Sequence, residues 1–307
     1  MTPVLPVLAA LALLPGFAPA ATGPAGGSVL TGTFPGGQRP GYVYLPPAFT
    51  TAKRYPVVYL LHGMRGSPSE YLYGAELARF ADVGIAAGTL RPFIAVLPAA
   101  GPSRDYNGEW AGPWERHVVQ QVVPWVDSHL PTIRGPSGRI LAGLSAGGYG
   151  AADIGLRNPA LFGTIESWGG YFHPLRDGPF RHADPATLRA NDPMLLAPAE
   201  AATLRRDRTS FFLSTGPDHS HWFKGAQTAA FRRELHGLGL RTAGFYYPTA
   251  HGEWRAQLDA GLDWALHSRG APAEPPRPSL SGSVEPTPAR VPAARAASGS
   301  GATSAGP

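Results

Sequence analysis

The sequence predicts a mostly parallel α/β sheet with helices on both faces, and three observations carry that reading. Between residues 42 and 267, short apolar runs alternate with longer amphipathic stretches, the pattern of strand–helix–strand repeats. The run Val57–Leu61 is apolar without interruption and opens with two β-branched valines, as a strand buried on both faces requires. The pentapeptide Gly143-Leu144-Ser145-Ala146-Gly147 directly follows the apolar run Ile140 to Ala142, and small residues (Gly148, Gly150, Ala151, Ala152) follow it. Such a context is a buried strand turning sharply into a helix, with the serine at the corner.

Strands are predicted in chain order at Tyr42 to Leu45, Val57 to Leu61, Phe93 to Leu97, Arg139 to Leu141, Gly163 to Ser167, Ser210 to Ser214 and Ala243 to Tyr247. Helical periodicity falls between them, at Ser69 to Gly84, Glu115 to Leu130, Ala146 to Arg157, Gly225 to Leu238 and Glu253 to His267. Pro124 lies inside the second of these and predicts a kink or a late start, because its ring cannot continue a regular helix.

The ends of the chain read differently. Residues 1 to 20 carry no charged side chain and hold an apolar centre, Val7 to Leu14, ahead of Ala18-Pro19-Ala20. This pattern predicts a cleaved export signal, with an uncleaved anchor as the alternative, because the run is short for a membrane span. Residues 21–28 read as a linker and 29–270 as one catalytic domain. Residues 271–307 contain eight prolines and no aromatic residue, too little apolar surface to offset the entropy of ordering, and are predicted to be a disordered tail.

Composition narrows the chemistry. There is no cysteine among the 307 residues, so neither a thiol nucleophile nor a thiolate metal site is available. Of the 26 basic residues only Lys53 and Lys224 are lysine; the arginines are scattered rather than clustered, which argues against a nucleic-acid surface despite a net charge of +5.

A serine hydroxyl is a weak nucleophile and needs a base in reach, with a third group to orient that base. Ser145 is the candidate nucleophile. His251, in the segment Thr249 to Trp254 after the last strand, is the candidate base, and Asp218, after the strand ending at Ser214, the candidate acid, with Glu253 in reserve. An oxyanion needs two backbone N–H donors. Ala146 opens the helix after the nucleophile, and Met64 lies in the glycine-flanked loop His62 to Gly66 after the buried strand. A rival reading groups Asp218, His219, His221 and His251 as a zinc site, which leaves the serine turn unexplained. Tyr106, Trp110, Trp114, Trp168, Tyr171, Phe172, Trp222 and Trp254 fall in segments expected to rim a pocket.

On these residues the chain resembles the putative esterase family of the α/β-hydrolase fold, which includes esterase D type enzymes, feruloyl and acetyl xylan esterases and mycolyltransferase antigens. The likeness spans roughly Val29 to Arg269 and rests on Tyr59 to Gly63 with Gly66, Gly143 to Gly150, Ser167 to Tyr171, Ser214 to Asp218, and His251 with Trp254. It implies Ser145 as nucleophile, Asp218 as acid, His251 as base, and Met64 and Ala146 as amide donors. The expected activity is that of a secreted serine esterase acting on a small-molecule, carbohydrate or lipid ester. No cofactor, metal, nucleic-acid partner or stable membrane insertion is expected. An acyltransferase that delivers the acyl group to a sugar hydroxyl shares every one of these residues, and a non-catalytic binding protein on the same fold is the third reading.

Overall fold

In the computed structural model the described residues are 14–103, 106, 109–216, 225–247 and 254–267. Val57–Leu61 forms strand β4, and each of its five side chains is 0% exposed. Tyr59 and Leu61 pack with Val118, Val126 and Ile154 on one face, while Val58 and Leu60 pack with Leu77, Ala81, Leu258 and Leu262 on the other. Fully burying such side chains is worth about 1.5–3 kcal/mol each, so this strand fixes the centre of the sheet.

Eight further strands are described: β1 (Ala18–Thr22), β2 (Ser28–Gly32), β3 (Gly41–Leu45), β5 (Ile94–Leu97), β6 (Arg139–Leu144), β7 (Thr164–Trp168), β8 (Ser210–Thr215) and β9 (Arg241–Tyr246). Their order across the sheet is β1-β2-β3-β5-β4-β6-β7-β8-β9. The pairings of β1 through β3 and of β3 with β5 are antiparallel; all others are parallel. Along the chain the helices are α1 (Ser69–Tyr73), α2 (Leu77–Ala86), α3 (Pro113–Arg116), α4 (Val123–His129), α5 (Ala146–Arg157), α6 (Pro185–Arg189), α7 (Pro193–Arg206), α8 (Gly225–Gly237) and α9 (Trp254–Leu266). Helices α2 and α9 cover one face of the sheet, and α4, α5, α7 and α8 the other.

Two expectations are corrected and one is met. The helix predicted over 69 to 84 breaks into α1 and α2, because Glu76 adopts a left-handed φ of 50° between them. The late start expected at Pro124 is seen in α4, which begins at Val123 with the proline in its first turn, and a wide π-helical turn over His117–Val122 carries the chain up to it. Helices α6 and α7 went unpredicted, although each opens with an Asp-Pro pair. Asp184 accepts from the Thr187 amide at 2.7 Å and Asp192 from the Met194 amide at 3.0 Å, ordinary N-caps followed by proline at the first helical position.

The sheet also begins ahead of residue 29, with β1 lying across position 20. Residues 23 to 27 form the turn into β2, closed by Gly23 N–H to Gly27 O at 2.7 Å. Phe17 packs between Phe34 and Trp125, with ring centroids 5.1 and 5.2 Å away. All five β1 residues are exposed, and its pairing with β2 shifts register between Pro19 and Ala21.

Asp82 of α2 holds this hairpin. Fully buried, it accepts from Ala25 N–H (2.8 Å), Gly27 N–H (3.0 Å) and the Tyr44 hydroxyl (2.7 Å). Asp82→Ala strands three donors at once and is expected to lower stability by roughly 3 kcal/mol, with a smaller loss for Asp82→Asn, as read by urea unfolding.

Candidate active site

The chain reaches Ser145 along β6 and leaves it in α5, and the turn between them is backbone-strained. Ser145 has φ 56° and ψ −117°, a region that costs a non-glycine residue about 1–3 kcal/mol. Close packing makes that conformation compulsory. A Cβ on Gly147 would lie 1.8 Å from the Leu61 carbonyl oxygen, and one on Gly143 would lie 2.2 Å from the Gly147 oxygen. The Ser145 amide donates to Trp168 O at 2.9 Å, which extends the β6–β7 ladder one residue into the turn. The side chain is only partly buried, unlike its neighbours on both sides.

Both predicted oxyanion donors lie beside this serine. Ala146 is the first residue of α5, where the helix dipole favours negative charge. A Cβ built on Gly63 would lie 3.5 Å from Ser145 Cβ, so the peptide linking Gly63 to Met64 passes alongside the nucleophile. Neither the Met64 nor the Ala146 N–H donates to a group among the described residues. The loop between them is a tight turn, closed by Gly66 N–H to Gly63 O at 3.0 Å, with Arg65 at φ 56°.

His62, expected only to sit in this loop, proves to be one of its ties. Its Nε2 accepts from Ala100 N–H at 3.0 Å, so the proton is on Nδ1, which donates to Gly63 O at 2.8 Å. Burial pushes its pKa down to about 4, opposed by the Gly63 hydrogen bond and reinforced by the Arg39 charge, which leaves the ring neutral. The Trp110 indole N–H donates to His62 O at 2.9 Å.

Strands β6, β8 and β9 are parallel, so their C-terminal ends share the edge at which Ser145 stands. Asp218 follows β8 in sequence and His251 follows β9; both lie outside the described residues, as do His219, His221, Trp222 and Glu253. Among the described residues no group of metal ligands occurs. Helix α9, three residues after His251, is fastened to the sheet by a buried hydrogen bond from Ser214 Oγ to Gln257 Oε1 at 2.8 Å.

Several of the aromatic residues in the segments expected to rim a pocket are plain core. Trp110, Trp168, Tyr171 and Phe172 are each 2% exposed or less, while Tyr106 remains half-buried. Tyr171 carries a function that sequence reading did not assign. Its hydroxyl lies 2.6 Å from both carboxyl oxygens of Glu109, a fully buried acid whose pKa burial raises well above the carboxylate range. This contact ties the segment after β7 to the loop before α3. Ser145, Tyr149, Asp153 and Arg157 recur every four residues of α5 and share a face. Asp153 is fully buried, and neither carboxyl oxygen has a hydrogen-bond partner among the described residues. Burial raises its pKa well above the usual value, with Arg157 opposing the shift and Glu115 and Asp192 adding to it.

A strained serine turn between a central parallel strand and a helix, on a mixed sheet with helices on both faces, defines the α/β-hydrolase fold. Solved structures agree: a ferulic acid esterase superimposes with a TM-score of 0.64 at 20% identity, covering 81% of this chain and 96% of its own. An S-formylglutathione hydrolase from Agrobacterium tumefaciens gives 0.62 at 18% identity, with coverage of 82% and 98%. The chain belongs to the Putative esterase family, whose model matches residues 33–265. It is 27% identical over 251 residues to an esterase of Mycobacterium tuberculosis, covering 70% of this chain and 53% of that protein. The endo-1,4-beta-xylanase/feruloyl esterase of Xylanibacter ruminicola is 32% identical over 137 residues, 41% of this chain and 18% of the relative. The chain thus spans about half the length of the mycobacterial relative, 53%.

Gly147→Ala drives a methyl group into Leu61 O and is expected to destabilise the fold by about 3 kcal/mol or more. Gly63→Ala places its methyl at ordinary contact distance and is expected to lose less than about 1 kcal/mol in the same thermal or chemical melt. For Asp153 the folded pKa exceeds the unfolded one, so the stability it contributes is fully present below the ordinary aspartate value of about 4 and falls as pH rises from there toward the folded value, by up to about 1.4 kcal/mol per pH unit. Asp153→Asn is expected to flatten that slope, measured by unfolding at a series of pH values.

Proposed function

We propose that the protein is a serine-dependent carboxylic ester hydrolase that works through an acyl-enzyme, with Ser145 as nucleophile, His251 as base and Asp218 orienting the base. One observation carries the reading: Ser145 stands at a strained strand-to-helix turn beside two backbone amides with no acceptor among the described residues. Membership in an esterase family, and relatives named esterase and feruloyl esterase, support the choice of reaction.

In this reading His251 takes the Ser145 hydroxyl proton as the oxygen attacks the ester carbonyl. The oxyanion of the tetrahedral intermediate accepts from Met64 and Ala146 N–H, and removing one such donor typically costs on the order of 10²–10³ in kcat. The carbonyl re-forms as the C–O bond to the alcohol breaks, and the His251 imidazolium returns its proton to the departing oxygen. Water then repeats the sequence on the acyl-serine, releasing the acid and free Ser145. Export is part of the proposal and rests on the apolar run Val7 to Leu14. N-terminal sequencing of secreted protein checks it, since a cut after Ala20 would fall inside β1.

Ser145→Ala is expected to lower turnover of a short p-nitrophenyl ester on the order of 10⁴-fold or more, with an unchanged melting curve. A fluorophosphonate probe should label the wild type and not this variant; folded wild-type protein that fails to react would sink the assignment. Product analysis with a sugar acceptor separates hydrolysis from acyl transfer.

A further inference from the structure

The Met64 amide proposed as an oxyanion donor belongs to the same planar peptide unit as the Gly63 carbonyl, so whatever holds that carbonyl aims that N–H. Gly63 O is held from two sides, by His62 Nδ1–H at 2.8 Å and by Gly66 N–H at 3.0 Å. The His62 ring is fixed in turn, since Nε2 accepts from Ala100 N–H at 3.0 Å. At the far end of this chain stands Arg39, on the segment between β2 and β3. Its guanidinium donates to Ala100 O at 3.0 Å and Ser103 O at 2.9 Å through one nitrogen, and to Gly66 O at 3.4 Å through the other.

We infer that Arg39 is a positioning residue for ester hydrolysis, acting on the Met64 amide through the relay Arg39, Ala100, His62, Gly63. The inference rests on the nucleophile and oxyanion assignments above. The first links act by position. Arg39 clamps Ala100 through its carbonyl, and the amide on the other side of the same Cα donates to His62 Nε2 and fixes the ring. The ring donates to Gly63 O, and because that carbonyl shares a planar peptide with the Met64 N–H, this last bond both aims and polarises that donor. Both ring nitrogens of His62 lie on a buried side chain, and only one tautomer satisfies both of their partners. Arginine suits the far end because it keeps its charge at any working pH and its fork reaches several carbonyls at once. The contact with Gly66 O closes the circuit on the same turn, fixing the loop at both of its glycines.

A purely structural arginine and a relay arginine predict different kinetics. Arg39→Gln is expected to lower kcat about tenfold with KM within about twofold, because the weakened amide matters only once the oxyanion forms. The carbonyl stretch of a trapped acyl-enzyme should move to higher wavenumber, and Arg39→Lys should recover part of both effects. His62→Gln, which interrupts the relay from the other side, should give the same division between kcat and KM should Arg39→Gln prove unstable. A folded Arg39→Gln enzyme with wild-type kcat, or one whose KM alone rises, would overturn the inference. Ser145→Ala is measured alongside. Turnover retained there overturns the nucleophile assignment and this inference with it. An inactive Ser145→Ala beside a fully active Arg39→Gln overturns the inference alone.

Discussion

The seating of Gly147 against the Leu61 carbonyl is the constraint from which the rest of the structure follows. A side chain there has no room, the Cβ position being 1.8 Å from that oxygen. The contact exists because β4 and β6 are neighbours in register, Leu61 opposite Gly143, although four helices, α1 to α4, and strand β5 lie between them in sequence. Once the two strands pair, the His62 to Gly66 loop leaving β4 and the serine leaving β6 are brought side by side. The strain at Ser145 is therefore borne by the whole β4–β6–α5 unit, and it persists because each of those parts is closely packed.

Around this unit burial pushes several carboxyl groups toward the neutral form. The pKa values of Glu109 and Asp153 are raised well above the ordinary ones, and Glu166, in the middle of β7, is raised to about 8 for the same reason. A neutral carboxyl can donate as well as accept, and it adds no field beside the Ser145 turn. His62 follows the same logic with the opposite sign, because an imidazolium there would lose its bond from Ala100 and place a full charge beside the turn.

The sequence made the parallel half of the sheet, the serine corner and the amide of Ala146 legible, because each depends on neighbours in the chain: an apolar run, a glycine two positions away on either side, a helix start. What it left hidden depends on contacts between distant segments. Arg39 lies in a Gly-Gly-Gln-Arg-Pro-Gly stretch that reads as an ordinary turn, and its partners come 27 to 64 residues later. Glu109 and Tyr171 are 62 residues apart, with no periodicity to link them. Helices α6 and α7 are the exception, since each is announced locally by an Asp-Pro start. The short strands β1 and β2 carry too few apolar residues to stand out from their glycine-rich surroundings.

The outer strand β1 has a consequence of its own. An outermost strand presents free backbone groups that invite another molecule to add its own strand. Here Pro19 withholds a donor, the break in pairing beside it interrupts the repeat, and the remaining side chains are alanine and threonine, which give an incoming strand little to grip. That rim of the sheet is a poor template for stacking end to end.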